Sequence, residues 1–596
     1  MQNTFLHASA RSFQLIRLRF SAINHRVVIA LGGLLCLPAL FSGYLGDDYI
    51  HHLLLSGEWQ IPKANDLSLF GLFSWVDGAP ERNRMLMDIG AIPWWTYEGM
   101  HYQFWRPLAE LSHWLDHLLW RESIPLMHLH SVLWYLLLGV CLHRLYLKSG
   151  LPASVALVAL AAFLLDSTHG FTLSWIANRN AIMAAVFGVT CLYYYLLWKE
   201  TGRTGFMGLS LLFLGLSLLS GEIGISTTCY LGAHALMMDK RGPGKALLAL
   251  WPFVLLSCLW WLTYKLGNFG ANNSDVNYID PLESPLIFAS KLVERVPVML
   301  FSQFGVVPAE VYGFSPDPLP VYLAVALLFM GAITWLLWPL IKGDRTARFW
   351  LLGSLFSVLP VTASIPADRN LLFVGLGASV AVGLLVQHLR QGMLQHRLRR
   401  IGAFGMVGMH LVLAPILLPL VSYSPKLWNQ MMGLQLTSEM PVQSEQDKLL
   451  LFGVPMPVAL ATTPMRYASD RLLPERLWLI SSDRHHFTIK RINANQLDIV
   501  SSKPLINTFE QALRDMERHP FGEGDQVVLS DMVLKVTRTD PAGHPLALRL
   551  TFRPGVLDTA ALVAQGEGQD RLALRRQPLP AIGESLQLYA PVTSAE

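Results

Sequence analysis

HRVVIALGGLLCLPALFSGYLGDDYIHH, residues 25–52, carries the sequence's main puzzle. The apolar run at 27–45 is long enough to cross a bilayer, or nearly so. It ends in two adjacent carboxylates, Asp47 and Asp48, with His51 and His52 close behind. The run is too long for the apolar core of a secretory signal, and no small-x-small cleavage site follows, so it reads as a retained anchor. Ionisable groups at the mouth of a span are costly to hold near lipid and are functional by default.

Working outward, the same character continues. The 596 residues are 52% hydrophobic and only 15% charged, with a mean hydropathy of +0.38. Soluble domains carry roughly 25% charged residues, so the deficit points to a membrane. The net charge of +4 is dispersed, with no basic tract suited to nucleic acid. All five cysteines (Cys36, Cys141, Cys191, Cys229, Cys258) fall inside apolar runs, without zinc spacing or a secreted-type framework.

Further apolar runs lie at 127–147, 151–166, 180–198, 204–220, 222–238, 245–266, 285–306, 319–341, 349–364, 370–389 and 401–422. The run at 285–306 holds Lys291, Glu294 and Arg295 at its centre, each costing about 2.5–3.5 kcal/mol there. It reads as an interfacial helix. Eleven spans remain, an all-α polytopic membrane domain over 27–422 behind a cytoplasmic N-terminus, residues 1–26. Lysines and arginines set the orientation. Arg11, Arg17, Arg19 and Arg26, then Arg144 and Lys148, Lys199 and Arg203, and Lys240, Arg241 and Lys245 fall on one side. Lys342, Arg345 and Arg348, and Arg390, Arg397, Arg399 and Arg400 join them. That side is cytoplasmic, which leaves loops 46–126 and 267–318 and the tail 423–596 outside. Short loops and a compact outer domain suggest a bacterial inner membrane with a periplasmic tail. The tail alternates apolar and polar residues in LWLISS (477–482), HHFTIKRI (485–492), QVVLSDMVLKVTR (526–538) and LALRLTFRPG (546–555), as half-buried strands do. With one amphipathic helix expected at TFEQALRDMERH (508–519), it reads as a soluble α+β, mostly β, domain.

On this topology the unusual polar residues share the outer face. They are Asp47 and Asp48; Arg106 in FWRPLAELSHW; Asp166, His169, Asn178 and Arg179 in LLDSTHGFTLSWIANRNAI; Glu222 in LLSGEIGIS; and Asp368 and Arg369 in SIPADRNLLFVGLG. Arginine presents a planar fork of donors that matches phosphate oxygens. A carboxylate beside it serves as general base on a hydroxyl, or holds a hard divalent cation such as Mg or Mn. Both together suit a lipid-linked phosphosugar and an acceptor. The histidines at 51, 52, 113, 117, 128 and 130 read as interfacial anchors and not as metal ligands. Trp94, Trp95, Trp105 and Trp114 read as an aromatic belt.

Taken together, the acidic pair after the first span, WRPL, DSTHGFTLSWIANRNAI, SGEIGIS and PADRNLLFVGLG resemble integral-membrane glycosyltransferases of the GT-C class. The branch they are nearest to is protein O-mannosyltransferase-like and TMTC-like, over about residues 27–390. The resemblance implies a sugar taken from a polyprenyl-phosphate carrier, with inversion, on the non-cytoplasmic face. The acceptor would be a glycan, lipid or protein. Asp47 and Asp48 match the acidic motif that supplies the catalytic base, Asp47 being the better match because it comes first. Arg106, Arg179 and Arg369 match positions expected to bind the donor phosphate. His169, Asn178, Glu222 and Asp368 match cavity positions. Two departures leave the sugar open: Asn178-Arg179-Asn180 stands where the family has Gly-Arg-Ala-Asp, and Gly221 stands where it has lysine. Competing expectations are a polysaccharide polymerase, ligase or flippase, or a membrane assembly scaffold. A proton-coupled transporter would need charges near the midplane of several spans, and here they gather at one end.

Overall fold

The computed structural model describes residues 24–57, 71–121, 123–314, 319–507, 510–566 and 573–589. The basic residues Arg11, Arg17 and Arg19 lie outside them. Every apolar run named above is helical. The helices of the bundle are α1 (His25–Cys36), α5 (Ile124–Lys148), α6 (Ala153–Leu164), the short α7 (Gly170–Ser174), α8 (Arg179–Thr201), α9 (Thr204–Ser220), α10 (Ser226–Met237), the short α11 (Pro243–Leu248), α12 (Trp251–Leu266), α13 (Pro285–Gly305), α14 (Leu319–Gly343), α15 (Arg345–Val361), α16 (Leu372–Arg390), α17 (Arg397–Gly408) and α18 (Ala414–Met431). Among the described residues five helices are singly long and apolar enough to cross a membrane, or six if the bent pair Ala153–Leu164 and Ser167–Ser174 is one span. The chain is therefore a multi-pass membrane protein.

Helix α16 is the axis of the bundle. Its apolar window is 78% buried, against 22% for Pro320–Gly343 and for Arg397–Glu439, which lie at the periphery. Close approach explains this position. A Cβ on Gly377 would lie 2.0 Å from the Trp350 carbonyl oxygen, so only glycine lets α15 and α16 touch. The outer surface instead exposes large apolar side chains, including Leu133, Val254, Leu262, Leu328 and Leu420. A water-facing surface would not leave so much apolar area uncovered.

The two outer loops expected from the sequence are one structure. In the first loop lie α2 (Asp47–Ser56), β1 (Ser74–Asp77), α3 (Pro80–Asp88), β2 (His101–Gln103) and α4 (Pro107–Trp120). The second contributes β3 (Gly270–Asn272), which pairs antiparallel with β2, Tyr102 opposite Ala271. The strand order is β1-β2-β3, a sheet closed across both loops.

Beyond α18, which runs to Met431, a β-rich domain follows. It has a six-stranded antiparallel sheet and a four-stranded mixed sheet in which β4 (Lys448–Phe452) lies parallel to both β5 (Arg476–Ser481) and β11 (Ala560–Gln565). The expected strands form as β5, β6 (Phe487–Asn493), β8 (Gln526–Val528), β9 (Met532–Thr539) and β10 (Pro545–Phe552). The helix expected at 508–519 does not form. Thr508 and Phe509 lie outside the described residues, and only one turn, Glu510–Ala512, is helical. Docking is the cause. The carbonyl of Ala512 accepts from Tyr102 Oη (3.0 Å) and that of Leu513 from the Tyr97 N–H (3.0 Å), so the oxygens that would carry the next turn are used by the first loop. Trp94 and Trp95 are also not belt residues. They are 3% and 0% exposed, and the Trp94 indole N–H donates to the Ile480 carbonyl inside the β-rich domain. Likewise His51, His113 and His128 are buried instead of sitting at an interface.

Candidate active site

The turn after the first span decides where the acidic pair points. Gly46 takes φ +47°, a left-handed conformation that favours glycine, and α2 starts immediately after it. Both aspartates thus fall in the first turn of a helix, where the dipole favours negative charge. They face opposite ways. Asp48 points inward at 3% exposure. Its Oδ1 accepts from the Ala177 N–H (2.7 Å) and its Oδ2 from the Leu45 N–H (3.0 Å). It ties α2 to the turn Ile176–Asn178. Asp47 is half-buried and lines a cavity of about 390 Å3.

Arg106, Asn178, Glu222 and Arg369 line the same cavity. Arg106 precedes α4 and lies over the rings of Phe73 (4.9 Å) and Phe104 (4.7 Å). Its Nε donates to Glu222 at 2.8 Å, and Tyr264 Oη donates to the same carboxylate at 3.2 Å. Among the described residues no acceptor engages its two terminal nitrogens, so the fork remains available. Arg369 lies over the Trp175 ring at 4.8 Å, with no carboxylate in ion-pair distance among the described residues. Burial pushes the Asp47 carboxyl up to about 6, against the opposing pull of Arg369 and Arg106. Asp48 is pushed up to about 7 by burial, against its backbone donors. A carboxyl titrating near 6 is mostly ionised at neutral pH and still basic enough to take a proton.

The other predicted residues are engaged elsewhere. Arg179 is wholly buried: it pairs with Asp116 (2.6 Å) and donates to Ser131, Ser112 and the Met127 carbonyl. It anchors α8 to α4 and α5, away from the cavity wall. His169 is also wholly buried, with Nδ1 2.9 Å from Tyr135 Oη. Asp368 accepts from Ser302 Oγ (2.6 Å) and the Ala309 N–H (2.8 Å), and burial together with Glu310 pushes its carboxyl up.

Several cavity residues were not foreseen. Trp175 and Asn180 flank predicted positions, and Trp260, Trp261 and Tyr264 come from WWLTY at the end of α12. The WWLTY cluster, next to a loop, was a usable signal. Asp280 is held by Lys265. Among the described residues no group of three or more His, Cys, Asp or Glu has an arrangement able to hold a metal. The cavity's other two carboxylates, Glu222 and Asp280, are each already paired with a cation.

No family model matches the sequence, and no curated protein matches it. Solved structures similar in chain path include the oligosaccharyltransferase of Archaeoglobus fulgidus tethered to an acceptor peptide. It is 11% identical over 74% of this chain and 63% of its own, with a TM-score of 0.38. This chain thus spans less than two thirds of that protein. ArnT from Cupriavidus metallidurans bound to undecaprenyl phosphate is 12% identical over 76% of this chain and 88% of its own, with a TM-score of 0.39.

Proposed function

We propose that the chain is an inverting membrane glycosyltransferase of the GT-C kind, taking a sugar from a polyprenyl-phosphate carrier. The observation that carries this reading is one cavity lined by Asp47, Arg106 and Arg369, a carboxylate and two guanidinium groups from separate elements. The cavity also borders lipid. Its wall includes Trp260 and Trp261 of α12, while Val254, Leu255, Leu259 and Leu262 of that helix are exposed. A polyprenyl tail can therefore lie against α12 with its phosphate inside.

In the reaction, Asp47 takes the proton of an acceptor hydroxyl as its oxygen attacks the anomeric carbon. The bond from that carbon to the phosphate oxygen breaks, and the electron pair leaves with the phosphate. Arg369 and the free fork of Arg106 take up the charge that gathers there. Displacement in one step inverts the anomeric centre. Glu222 holds Arg106 in register, and Asp48 holds the helix that carries Asp47. A divalent cation, Mg or Mn, would have Asp47 as its protein carboxylate; turnover before and after chelation, with add-back, tests it.

The same proposal places eleven spans in a bacterial inner membrane, with the N-terminus cytoplasmic and both loops and the 423–596 domain periplasmic. The acceptor is a glycan, lipid or protein of that compartment. The test is mass spectrometry of envelope glycans, lipids and proteins from cells with the wild-type chain, with Asp47→Asn and without the chain. One sugar-bearing species should vanish in both altered strains. Identical envelopes in all three would sink the proposal.

A further inference from the structure

The link between α15 and α16 carries Arg369, and α13 grips that link at two points. Arg295 is 5% exposed, and its Nη1 donates to the carbonyls of Thr362 and Ser364, each at 2.8 Å. Seven residues further along α13, Ser302 Oγ donates to Asp368 at 2.6 Å. Seven residues make two helical turns, so both donors stand on one face of α13. The link itself borders the cavity with Ala363, Ser364, Arg369 and Asn370.

Hydrogen bonds carry the grip to Arg369 from both sides. Asp368 precedes it, and its Oδ1 accepts from the Ala309 N–H as well as from Ser302. Asn370 follows it, and its Nδ2 donates to Ser364 Oγ at 2.9 Å. The second outer loop braces the same link. The Ile279 N–H donates to the Ala363 carbonyl (2.7 Å), and the Ile365 N–H donates to the Asn277 carbonyl (3.1 Å). Arg369 therefore reaches over Trp175 from backbone held on either side.

An uncharged donor would cost less to bury than Arg295. Its neighbour Glu294 pairs with Lys291, and among the described residues Arg295 has no ion-pair partner. The Thr362 carbonyl caps α15, where a cation meets the negative end of the helix dipole. Capping accounts for that bond alone. The Ser364 carbonyl lies beyond the helix, in the residue that Asn370 holds.

We infer that Arg295 and Ser302 are positioning residues of the donor site, holding Arg369 where the carrier phosphate meets it. This rests on the proposed function, in which Arg369 binds that phosphate. The experiment measures farnesyl phosphate binding to the purified full chain in nanodiscs, for single variants and for each combined with Arg369→Met. Arg369→Met should weaken binding about 10–100-fold, the scale of a hydrogen bond to a charged group. Arg295→Met and Ser302→Ala should each weaken it about 3–10-fold, a part of that contact. In the Arg369→Met background neither should add more than about twofold, because the contact they position is already gone. A role confined to packing would give the same loss in both backgrounds. Ser302→Ala deletes a single hydroxyl, so the test stands even where Arg295→Met yields no folded protein. Wild-type affinity in the single variants, or losses that multiply with that of Arg369→Met, overturns the positioning role alone. No binding of farnesyl phosphate by the wild type overturns the donor class, and full binding by Arg369→Met overturns the role of Arg369. The positioning role falls with either.

Discussion

The two adjacent aspartates should respond oppositely to the same small change. In Asp48→Asn, one carboxylate oxygen becomes an amide NH2, which must face either the Ala177 or the Leu45 N–H. One buried donor then loses its acceptor, at a cost of about 1–3 kcal/mol. At 3% exposure bulk water does not reach the carboxylate to repair the loss. Asp47 differs in its contacts: burial raises both carboxyls, Asp48 to about 7 and Asp47 to about 6, but among the described residues the Asp47 carboxylate accepts no hydrogen bond that an amide would break. A group with a raised value favours its neutral form, so the folded state is stabilised by protonation and loses that stability as pH rises through about 6. Asn mimics the neutral form, so Asp47→Asn should leave stability at neutral pH unchanged within about 0.5 kcal/mol, or raise it. It should lower turnover by about 10²–10⁴, the usual contribution of a general base. Thermal unfolding in detergent, read beside release of bare carrier lipid, separates the two variants. An Asp48→Asn protein as stable as wild type, or an Asp47→Asn protein that is destabilised or fully active, would refute the reasoning.

Three further outcomes are expected. Arg179→Met should leave Asp116 with His130 as its remaining partner and cost about 3–5 kcal/mol, seen as loss of folded protein on gel filtration and recovered in part by adding Asp116→Asn. The kcat/KM for donor should rise with pH through about 6, because Asp47 accepts a proton only when ionised; a profile flat from pH 5 to 7 would remove Asp47 as base. Arg518 reaches from the β-rich domain to Asp275 and Ser284, and His519 stacks on Tyr97 at 3.7 Å. Arg518→Ala with Tyr97→Ala should loosen that domain, measured as faster proteolysis after residue 431 with the bundle intact.

Much of the bundle was legible because apolar length alone fixes a helix in lipid, and every such run is helical. The site was legible in part. Asp47, Arg106, Asn178, Glu222 and Arg369 stand on one cavity, and they were found as charges or amides where apolar runs end. Arg179, His169 and Asp368 carry the same sequence signal but turn inward. The sequence does not give the direction of a side chain in a short 3₁₀ turn, where a shift of one residue exchanges cavity for core. That is also why Asn180 was missed beside Asn178. The 508–519 segment has helical periodicity, yet Tyr97 and Tyr102, some 410 residues earlier, take its carbonyls; local pattern holds no record of that contact.

The central claim is tested most directly by purified protein in proteoliposomes, given a polyprenyl-phosphate-linked sugar and an envelope extract as acceptor. The account predicts release of bare polyprenyl phosphate and a product of inverted anomeric configuration, both abolished by Asp47→Asn. Consumption only of pyrophosphate-linked oligosaccharide, or a product that retains configuration, would contradict it.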